Sequence, residues 1–145
     1  MTSIRILIVD DHELVRRSIC KLLTTQPDLD VVCEASDGYE AVHKAEAYQP
    51  HVVLLDIGIP EVNGLVATPL IKKVAPNAEI LIVTSHDHLF FVHEAFAAGA
   101  RGFLSKTDLA AELISAIRDV HSKKKFVSKH LKGAAIDHRS GEVAS

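Results

Sequence analysis

The first strand-like run in the sequence, Ile4–Val9, ends at two adjacent carboxylates, Asp10 and Asp11. A run rich in Ile and Val is typical of a strand buried on both faces, and such strands belong inside parallel sheets. Successive side chains on a strand point to opposite faces, so two adjacent acids cannot both turn to one solvated side. The sequence therefore requires a reason for two acids at the rim of an apolar sheet.

Strand-like and helix-like runs alternate along the chain in five successive units. Five βα units predict an α/β fold, with a parallel sheet covered by helices on both faces and right-handed crossovers. Ligands of such sheets gather outside the carboxyl ends of the strands, where the strand order reverses. We therefore expect the strand-end acids to lie at a binding site. The predicted strands are 4–9, 30–35, 51–56, 78–85 and 102–106, and the predicted helices are 12–25, 36–48, 63–74, 88–99 and 108–120.

The composition is that of one ordinary globular domain. The chain has 145 residues, 48% of them hydrophobic and 24% charged, which is enough for a single core. A formal charge of −3 indicates no class of partner. No apolar run reaches the roughly 20 residues that span a bilayer, and the N-terminus has no signal-peptide pattern. Cys20 and Cys33 have neither metal-ligand spacing nor a disulfide framework, so we expect free thiols in the cytoplasm.

The character of the sequence changes after residue 121. The stretch 122–145 carries five lysines and one arginine, with only Asp137 and Glu142 as acids. Such a polar, basic stretch is typical of a linker or a partly disordered tail. The sequence therefore predicts one folded domain over 1–121, followed by a basic linker or tail over 122–145.

Polar side chains end four of the five predicted strands. These are Asp10 and Asp11 at the first, Asp56 at the third, Thr84 at the fourth and Lys106 at the fifth. If the ends converge, each pair of carboxylates about 4 Å apart repels by about 4 kcal/mol at an effective dielectric constant of about 20. Lys106 neutralises one charge only. Hard carboxylate oxygens favour Mg²⁺ (or Mn²⁺), which keeps several waters and accepts a phosphate oxygen.

The same set of side chains matches phosphoryl chemistry. An aspartate beside Mg²⁺ can act as a nucleophile and form an acyl phosphate. The equatorial oxygens of the transferred group then need partners, which Mg²⁺, the Thr84 hydroxyl and the Lys106 ammonium supply. Taken singly, each residue has a plainer interpretation, such as a helix N-cap for Asp11 or a solvated surface position for Lys106. Four matching strand ends in order favour the joint interpretation.

Four stretches of the sequence resemble one known family: "VDDHELVR", "VVLLDIGIPEVNG", "ILIVTSHD" and "AGARGFLSKTD". They are similar to the receiver (REC) domains of bacterial two-component response regulators, and most similar to those of the LuxR/NarL-type helix-turn-helix regulators. The resemblance covers Ile4 to about His121, so we expect 1–121 to be a receiver domain. It implies a flavodoxin-like (CheY-like) doubly wound five-stranded parallel sheet, in the order 2-1-3-4-5, with five helices.

The resemblance also implies which residues would hold a metal ion and a phosphoryl group. Asp56 would be the phosphoacceptor. Asp11, Asp56 and the backbone carbonyl of Gly58 would ligate Mg²⁺ (or Mn²⁺), while Asp10 would act through a metal-bound water.

A switch is implied as well. Thr84 and Lys106 would contact the phosphoryl group, and Phe103 would be the aromatic side chain whose rotamer follows Thr84. Gly58 and His86 occupy the two variable positions that influence the lifetime of the phosphoryl group in the family. Movement of Thr84 would change the packing on the face formed by the fourth helix, the fifth strand and the last helix.

Four consecutive apolar residues, 89–92, span too wide an arc of the fourth helix for one buried stripe. Val92 fits the core, so one or two of Leu89, Phe90 and Phe91 should be exposed. Two interpretations stay open: packing against a neighbouring loop, or a surface for a dimer or another partner. Asp87, just before them, is expected to cap the helix.

Together, these features predict a phosphorylation-dependent signalling switch that accepts a phosphoryl group from a sensor histidine kinase. Output would pass through a transcriptional domain outside this chain. We further expect a homodimer on phosphorylation, no membrane binding and no specific contact with nucleic acid.

Two alternatives remain to the regulator hypothesis. The first is a stand-alone receiver that acts through protein contacts. The second is an aspartyl-phosphate phosphohydrolase, but such enzymes carry a second acid two residues after the nucleophile, where this chain has Gly58. We therefore expect no enzymatic activity beyond slow self-dephosphorylation.

Overall fold

Strands and helices alternate along residues 3–131, which are the residues that the computed structural model describes. The strands are β1 (Ile4–Val9), β2 (Leu29–Ala35), β3 (Val52–Leu55), β4 (Glu79–Thr84), β5 (Gly102–Ser105) and β6 (Phe126–Val127). The helices are α1 (Glu13–Leu23), α2 (Gly38–Tyr48), α3 (Gly64–Val74), α4 (Leu89–Ala98) and α5 (Leu109–His121), with a short 3-10 helix at Lys106–Asp108 leading into α5.

All neighbouring strands are parallel, and the sheet has the order β2-β1-β3-β4-β5-β6. The chain moves from β1 outward to β2 and then crosses to β3 on the other side of β1. The strand order therefore reverses between β1 and β3, which is where open α/β sheets form binding sites. The predicted flavodoxin-like α/β fold with a parallel sheet is confirmed.

The predicted count of five strands is wrong, because the described residues contain a sixth strand at the edge of the sheet. The backbone N–H of Phe126 donates to the carbonyl of Arg101 at 3.2 Å, and that of Ser128 donates to the carbonyl of Phe103 at 3.0 Å. An edge strand such as β5 exposes unpaired backbone groups, and β6 satisfies them. This strand lies within the stretch 122–145 that was predicted to be a linker or tail. The remainder of that stretch, 132–145, lies outside the described residues.

The sheet is buried on both faces, which fixes the position of its strand ends. Along β1, Leu7 and Val9 face the apolar cluster under α2, α3 and α4, while Ile6 and Ile8 face the cluster under α1 and α5. All four side chains are at most 1% exposed. A strand packed in this way cannot shift its register by one residue without turning its side chains to the wrong face. The position of Asp10, directly after β1, is therefore determined by the core.

Helix α2 begins with a reciprocal pair of capping hydrogen bonds. Asp37 caps α2, accepting the backbone N–H of Glu40 at 2.8 Å, and the Glu40 carboxylate in turn accepts the N–H of Ser36 at 2.8 Å. Pro69 lies inside α3 and does not end it, since the helix spans 11 residues from Gly64 to Val74. None of the helices within residues 3–131 is long and apolar enough to cross a membrane.

At the other end of the sheet, the buried carboxylate of Glu79 holds the chain that follows α5. It accepts hydrogen bonds from Lys123 Nζ at 2.7 Å and Arg101 Nε at 3.2 Å. Burial raises the pKa of Glu79, but these two hydrogen bonds and the charges of Lys72 and Arg101 together leave the pKa below its ordinary value. Lys123 reaches the carboxylate with its backbone in the left-handed region, at φ 69°.

We predict that Glu79→Gln lowers the free energy of unfolding at pH 7 by about 1–2 kcal/mol, because hydrogen bonds to a buried charge are lost. A carboxyl with a depressed pKa stabilises the fold above the unfolded-state pKa, and this contribution is lost as the pH falls. The difference between the two proteins should therefore shrink as the pH falls below 4.5, the ordinary pKa of the side chain. Urea unfolding over a pH series measures it.

Glu13→Gln is the matched control for this experiment. Glu13 pairs with Arg17 at 2.9 Å, but both side chains are largely exposed. Exposed pairs of this spacing contribute about 0.3–0.5 kcal/mol. Equal losses in the two variants would contradict the assigned role of Glu79.

Candidate functional site

The carboxyl ends of β1, β3, β4 and β5 meet at one edge of the sheet and bring four of the predicted residues together. Asp10 and Asp56 follow β1 and β3 and are only 2% and 5% exposed. Thr84 ends β4 and is fully buried, and Lys106 follows β5. Because β1 and β3 are packed on both faces, these acids cannot withdraw into solvent. They need partners of opposite charge.

Lys106 joins the two buried acids. Its Nζ lies 2.7 Å from Asp10 Oδ2 and 3.0 Å from Asp56 Oδ2. Burial lowers the pKa of the Lys106 ammonium, but the hydrogen bonds to Asp10 and Asp56 outweigh burial and raise the pKa above its ordinary value. The side chain therefore carries its full charge at neutral pH.

Asp11 and His12 complete the acidic edge beside Asp10. The backbone N–H of His12 donates to Asp10 Oδ1 at 2.9 Å, and His12 Nδ1 lies 3.2 Å from both Asp10 Oδ1 and Asp11 Oδ1. Among the described residues, these three place one ligand atom each within 4.8 Å of one another. The sequence interpretation included the two acids but missed His12. Its position directly after them was the available signal.

The donor set fits a hard divalent cation. Asp10, Asp11 and Asp56 supply three carboxylates at this edge, and the Lys106 ammonium pairs with two of them. Carboxylate oxygens with few nitrogen neighbours suit Mg²⁺. The excess negative charge is thus the physical reason to expect a metal ion here.

Asp56 is held from two sides. Its Oδ2 accepts from Lys106, and its Oδ1 accepts the backbone N–H of Gly58 at 3.3 Å. A Cβ added to Gly58 would lie 3.0 Å from His86 Nε2. The two positions predicted to influence the phosphoryl lifetime, Gly58 and His86, therefore face each other beside Asp56. Their effect on lifetime stays a prediction, as does a metal contact by the Gly58 carbonyl.

Helix α3 begins so close to Asp56 that its first residue has to be glycine. A Cβ on Gly64 would clash with the carbonyl oxygen of Asp56 and lie 2.8 Å from Ile57 Cα. The Gly64 N–H donates to the carbonyl of Ile57 at 2.9 Å. The packing of α3 against this backbone therefore helps to set the position of the Asp56 side chain.

The residues predicted to form the switch, Thr84 and Phe103, are both buried and lie on adjacent strands. Thr84 Oγ1 accepts the backbone N–H of His86 at 3.1 Å. Phe103 pairs with Ile82 in the register of β4 and β5 and is fully buried. A threonine tied to the following loop and a buried aromatic on the adjacent strand suit coupled movement. That coupling stays a prediction.

The loop before α4 departs from the expectation in one respect. Asp87 does not cap α4, so that prediction is wrong. The N-cap residue is His88, and the Asp87 carboxylate accepts the Ser105 hydroxyl from β5 at 2.8 Å. The sequence could not show this, because the competing donor lies 18 residues away in the chain.

Of the three apolar residues considered as an interface, Phe90 is the exposed one, with 63% of its surface accessible. Leu89 is half-buried. Phe91 packs against the core, with its ring 5.3 Å from that of Phe90 and 5.7 Å from that of His86. The exposure of Phe90 confirms the expectation that one or two of these three side chains are exposed. A contact through Leu89, Phe90 or Phe91 stays a prediction.

Comparison with known proteins agrees with this geometry. The family model described as "Response regulator receiver domain" matches residues 6–118. The chain is 38% identical over 118 residues to the transcriptional regulatory protein DegU of Brevibacillus brevis, covering 81% of this chain and 50% of that protein. It is 36% identical over 143 residues to the transcriptional regulatory protein LiaR of Bacillus subtilis, covering 97% and 68%. The chain spans about half the length of several curated relatives that it matches.

A solved structure shows the same fold. The two-component response regulator of the LuxR family from Aurantimonas sp. SI85-9A1 superposes with a TM-score of 0.91 at 33% identity. The match covers 96% of this chain and 99% of that chain.

We predict that Gly64→Ala destabilises the protein by about 1–3 kcal/mol, the usual cost of inserting a methyl group into packed structure. The clash falls on the backbone of Asp56, so the side chain that meets Lys106 should also move. Urea unfolding gives the stability, and NMR of the Lys106 side chain reports the change at the site.

Val66→Ala is the control for the same helix. Val66 is 52% exposed, so its truncation should change the stability by no more than about 0.5 kcal/mol. A Gly64→Ala protein as stable as the wild type would show that α3 has room to move and does not position Asp56.

Proposed function

We propose a function for this chain, which belongs to the family of response regulator receiver domains. It is the receiver of a two-component system, and Asp56 is its phosphoacceptor. The supporting observation is the position of Asp56 at the sheet edge, within 3.0 Å of the Lys106 ammonium. Its carboxylate lies beside the excess negative charge of Asp10 and Asp11.

The proposed reaction is transfer of a phosphoryl group from a phosphohistidine of a sensor kinase. A carboxylate oxygen of Asp56 forms a bond to phosphorus, and the bond from phosphorus to the imidazole nitrogen breaks, with its electron pair going to the nitrogen. Lys106 exchanges its hydrogen bond with Asp56 for one to a phosphoryl oxygen. The Thr84 hydroxyl donates to another oxygen of the group.

The residues that would hold Mg²⁺ (or Mn²⁺) are Asp11, Asp56 and the Gly58 carbonyl, with Asp10 acting through water. The metal ion, when bound, offsets the charge of the acids and of the incoming phosphoryl group. His12 Nδ1 lies 3.2 Å from Asp11 Oδ1, so its imidazole is close enough to pair with this carboxylate.

The output of the switch is proposed to pass through the face formed by α4, β5 and α5. Phosphorylation draws Thr84 toward the phosphoryl group, and the buried Phe103 repacks into the space that Thr84 vacates. Leu89, Phe90 and Phe91 at the start of α4 would then serve as the surface for a homodimer or another partner. The names of the longer relatives DegU and LiaR, both transcriptional regulatory proteins, support control of transcription through an output domain.

We further propose that the chain is not a phosphohydrolase. Gly58 provides no acid or base two residues after Asp56, so hydrolysis of the acyl phosphate would proceed only as slow self-dephosphorylation. A stand-alone receiver acting through protein contacts remains the alternative to a regulator with an output domain.

We expect treatment with acetyl phosphate and Mg²⁺ to add one phosphoryl group to the wild-type protein and none to Asp56→Asn, measured by intact mass. Asp30→Asn is the control, because Asp30 is exposed on β2 and its substitution should leave the mass gain unchanged. A mass gain that survives Asp56→Asn would contradict the assignment of the phosphoacceptor.

The same reaction mixture tests the absence of an enzymatic role. Acetate release should approach about one equivalent per protein within the time of labelling and then slow, because transfer of the phosphoryl group to Asp56 releases acetate. Inorganic phosphate forms only when the acyl phosphate is hydrolysed, so its continued rapid release would instead favour the phosphohydrolase alternative.

A further inference from the structure

Residues 126–131, here called the edge segment, return to the sheet at the same end as the phosphoacceptor site. The N–H of Ser128 donates to the carbonyl of Phe103 at 3.0 Å. The Ser128 hydroxyl in turn accepts the N–H of Ser105 at 2.7 Å, and this bond is buried. The segment is therefore hydrogen-bonded to the same strand that carries the predicted switch aromatic and precedes Lys106.

The edge segment also contributes an apolar side chain to the core. Leu131 is 8% exposed and belongs to the apolar cluster that includes Phe103 and Val92. A repacking of Phe103 would therefore disturb the cluster to which Leu131 belongs, because cores are close-packed and leave little free volume.

The edge segment contacts the start of α5 closely and the loop before α4 at longer range. His130 Nδ1 lies 2.6 Å from Asp108 Oδ2, and His130 Nε2 lies 3.7 Å from Asp87 Oδ2. That same Asp87 oxygen accepts the Ser105 hydroxyl at 2.8 Å. Asp87 is thus hydrogen-bonded to β5 and lies within ion-pair distance of a protonated His130.

The loop in question, 85–88, begins directly after Thr84. Its His86 N–H donates to Thr84 Oγ1 at 3.1 Å, and Asp87 follows. A displacement of Thr84 would therefore be transmitted through two residues of backbone to the carboxylate that Ser105 and His130 share. The contacts form a continuous path from the phosphoryl-contacting threonine to the end of the described chain.

We propose that the edge segment is a latch that reports the state of Asp56, an inference that rests on the proposed function. In the unphosphorylated protein the segment is docked along β5. Movement of Thr84 on phosphorylation draws Asp87 away from Ser105 and His130 and repacks Phe103 against Leu131. The segment then leaves β5, which exposes the sheet edge. Coupling is reciprocal, so loosening the segment must also loosen the loop.

The first experiment tests the coupling without phosphorylation, by hydrogen exchange and mass spectrometry on the full chain. Ser128→Ala removes the acceptor of the buried Ser105 N–H but touches no residue of 85–88. We expect exchange to become about fivefold faster, or more, both in the edge segment and in the loop 85–88. Ser115→Ala, exposed on α5, is the control and should change neither. A loop that keeps its wild-type rate in Ser128→Ala overturns the latch, whether or not the segment itself exchanges faster.

The second experiment compares the wild-type protein before and after acetyl phosphate treatment, with intact mass recording the phosphoryl group. Faster exchange in the edge segment, with β1 unchanged, is the expected result. A phosphoryl group on Asp56 with unchanged exchange in the segment overturns the latch while leaving the proposed function intact. Failure to label Asp56 contradicts the proposed function, and the Ser128→Ala comparison then still decides whether loop and segment are coupled.

Discussion

Two buried carboxylates, those of Asp10 and Asp56, share one ammonium at the carboxyl edge of the sheet. An ionised carboxylate buried without a partner would cost several kcal/mol, so Lys106 has to reach the site from β5, 50 residues beyond Asp56. One ammonium does not balance the edge once Asp11 is counted. The remaining negative charge makes a divalent cation the natural partner, and a phosphoryl group can join the acids only when that charge is offset. The ion pairs of Lys106 with Asp10 and Asp56 therefore stabilise the buried acids and also set the charge of the site.

The packing of the sheet and helices fixes the positions of the strand ends that carry the acids. Burial on both faces fixes the register of β1, and with it Asp10. The close approach of α3 at Gly64 fixes the backbone of Asp56. By contrast, Thr84 is tied to the loop that follows it, and that loop shares Asp87 with β5 and the edge segment. The acids are thus positioned by the packed scaffold, while the Thr84 hydroxyl is hydrogen-bonded to a loop.

The strand-end residues could be predicted because each follows a short aliphatic run and the carboxyl ends of parallel strands meet at one edge. β6 could not, because the pair Phe126–Val127 shows no periodicity between lysines and serine. It becomes a strand only because β5 offers unpaired backbone groups. Asp87 has the local pattern of a helix cap, but a serine hydroxyl from another strand competes for it. His12 was missed because its contacts with the two acids depend on the turn that follows β1. For β6 and Asp87, a contact with a residue distant in the chain determined the structure. For His12, the local turn did.

The most direct test of the central claim is a Mg²⁺ titration of the unphosphorylated protein followed by backbone amide NMR, since the chain has no Trp to serve as a fluorescent reporter. Wild type should bind one ion, with shifts concentrated around Asp10, Asp11 and Asp56. Asp11→Asn should weaken binding at least about tenfold, the loss that even an outer-shell partner can cause. Lys106→Met should bind as tightly or more tightly, because the competing ammonium is gone. Equal affinity in Asp11→Asn, or shifts elsewhere in the chain, would contradict the account.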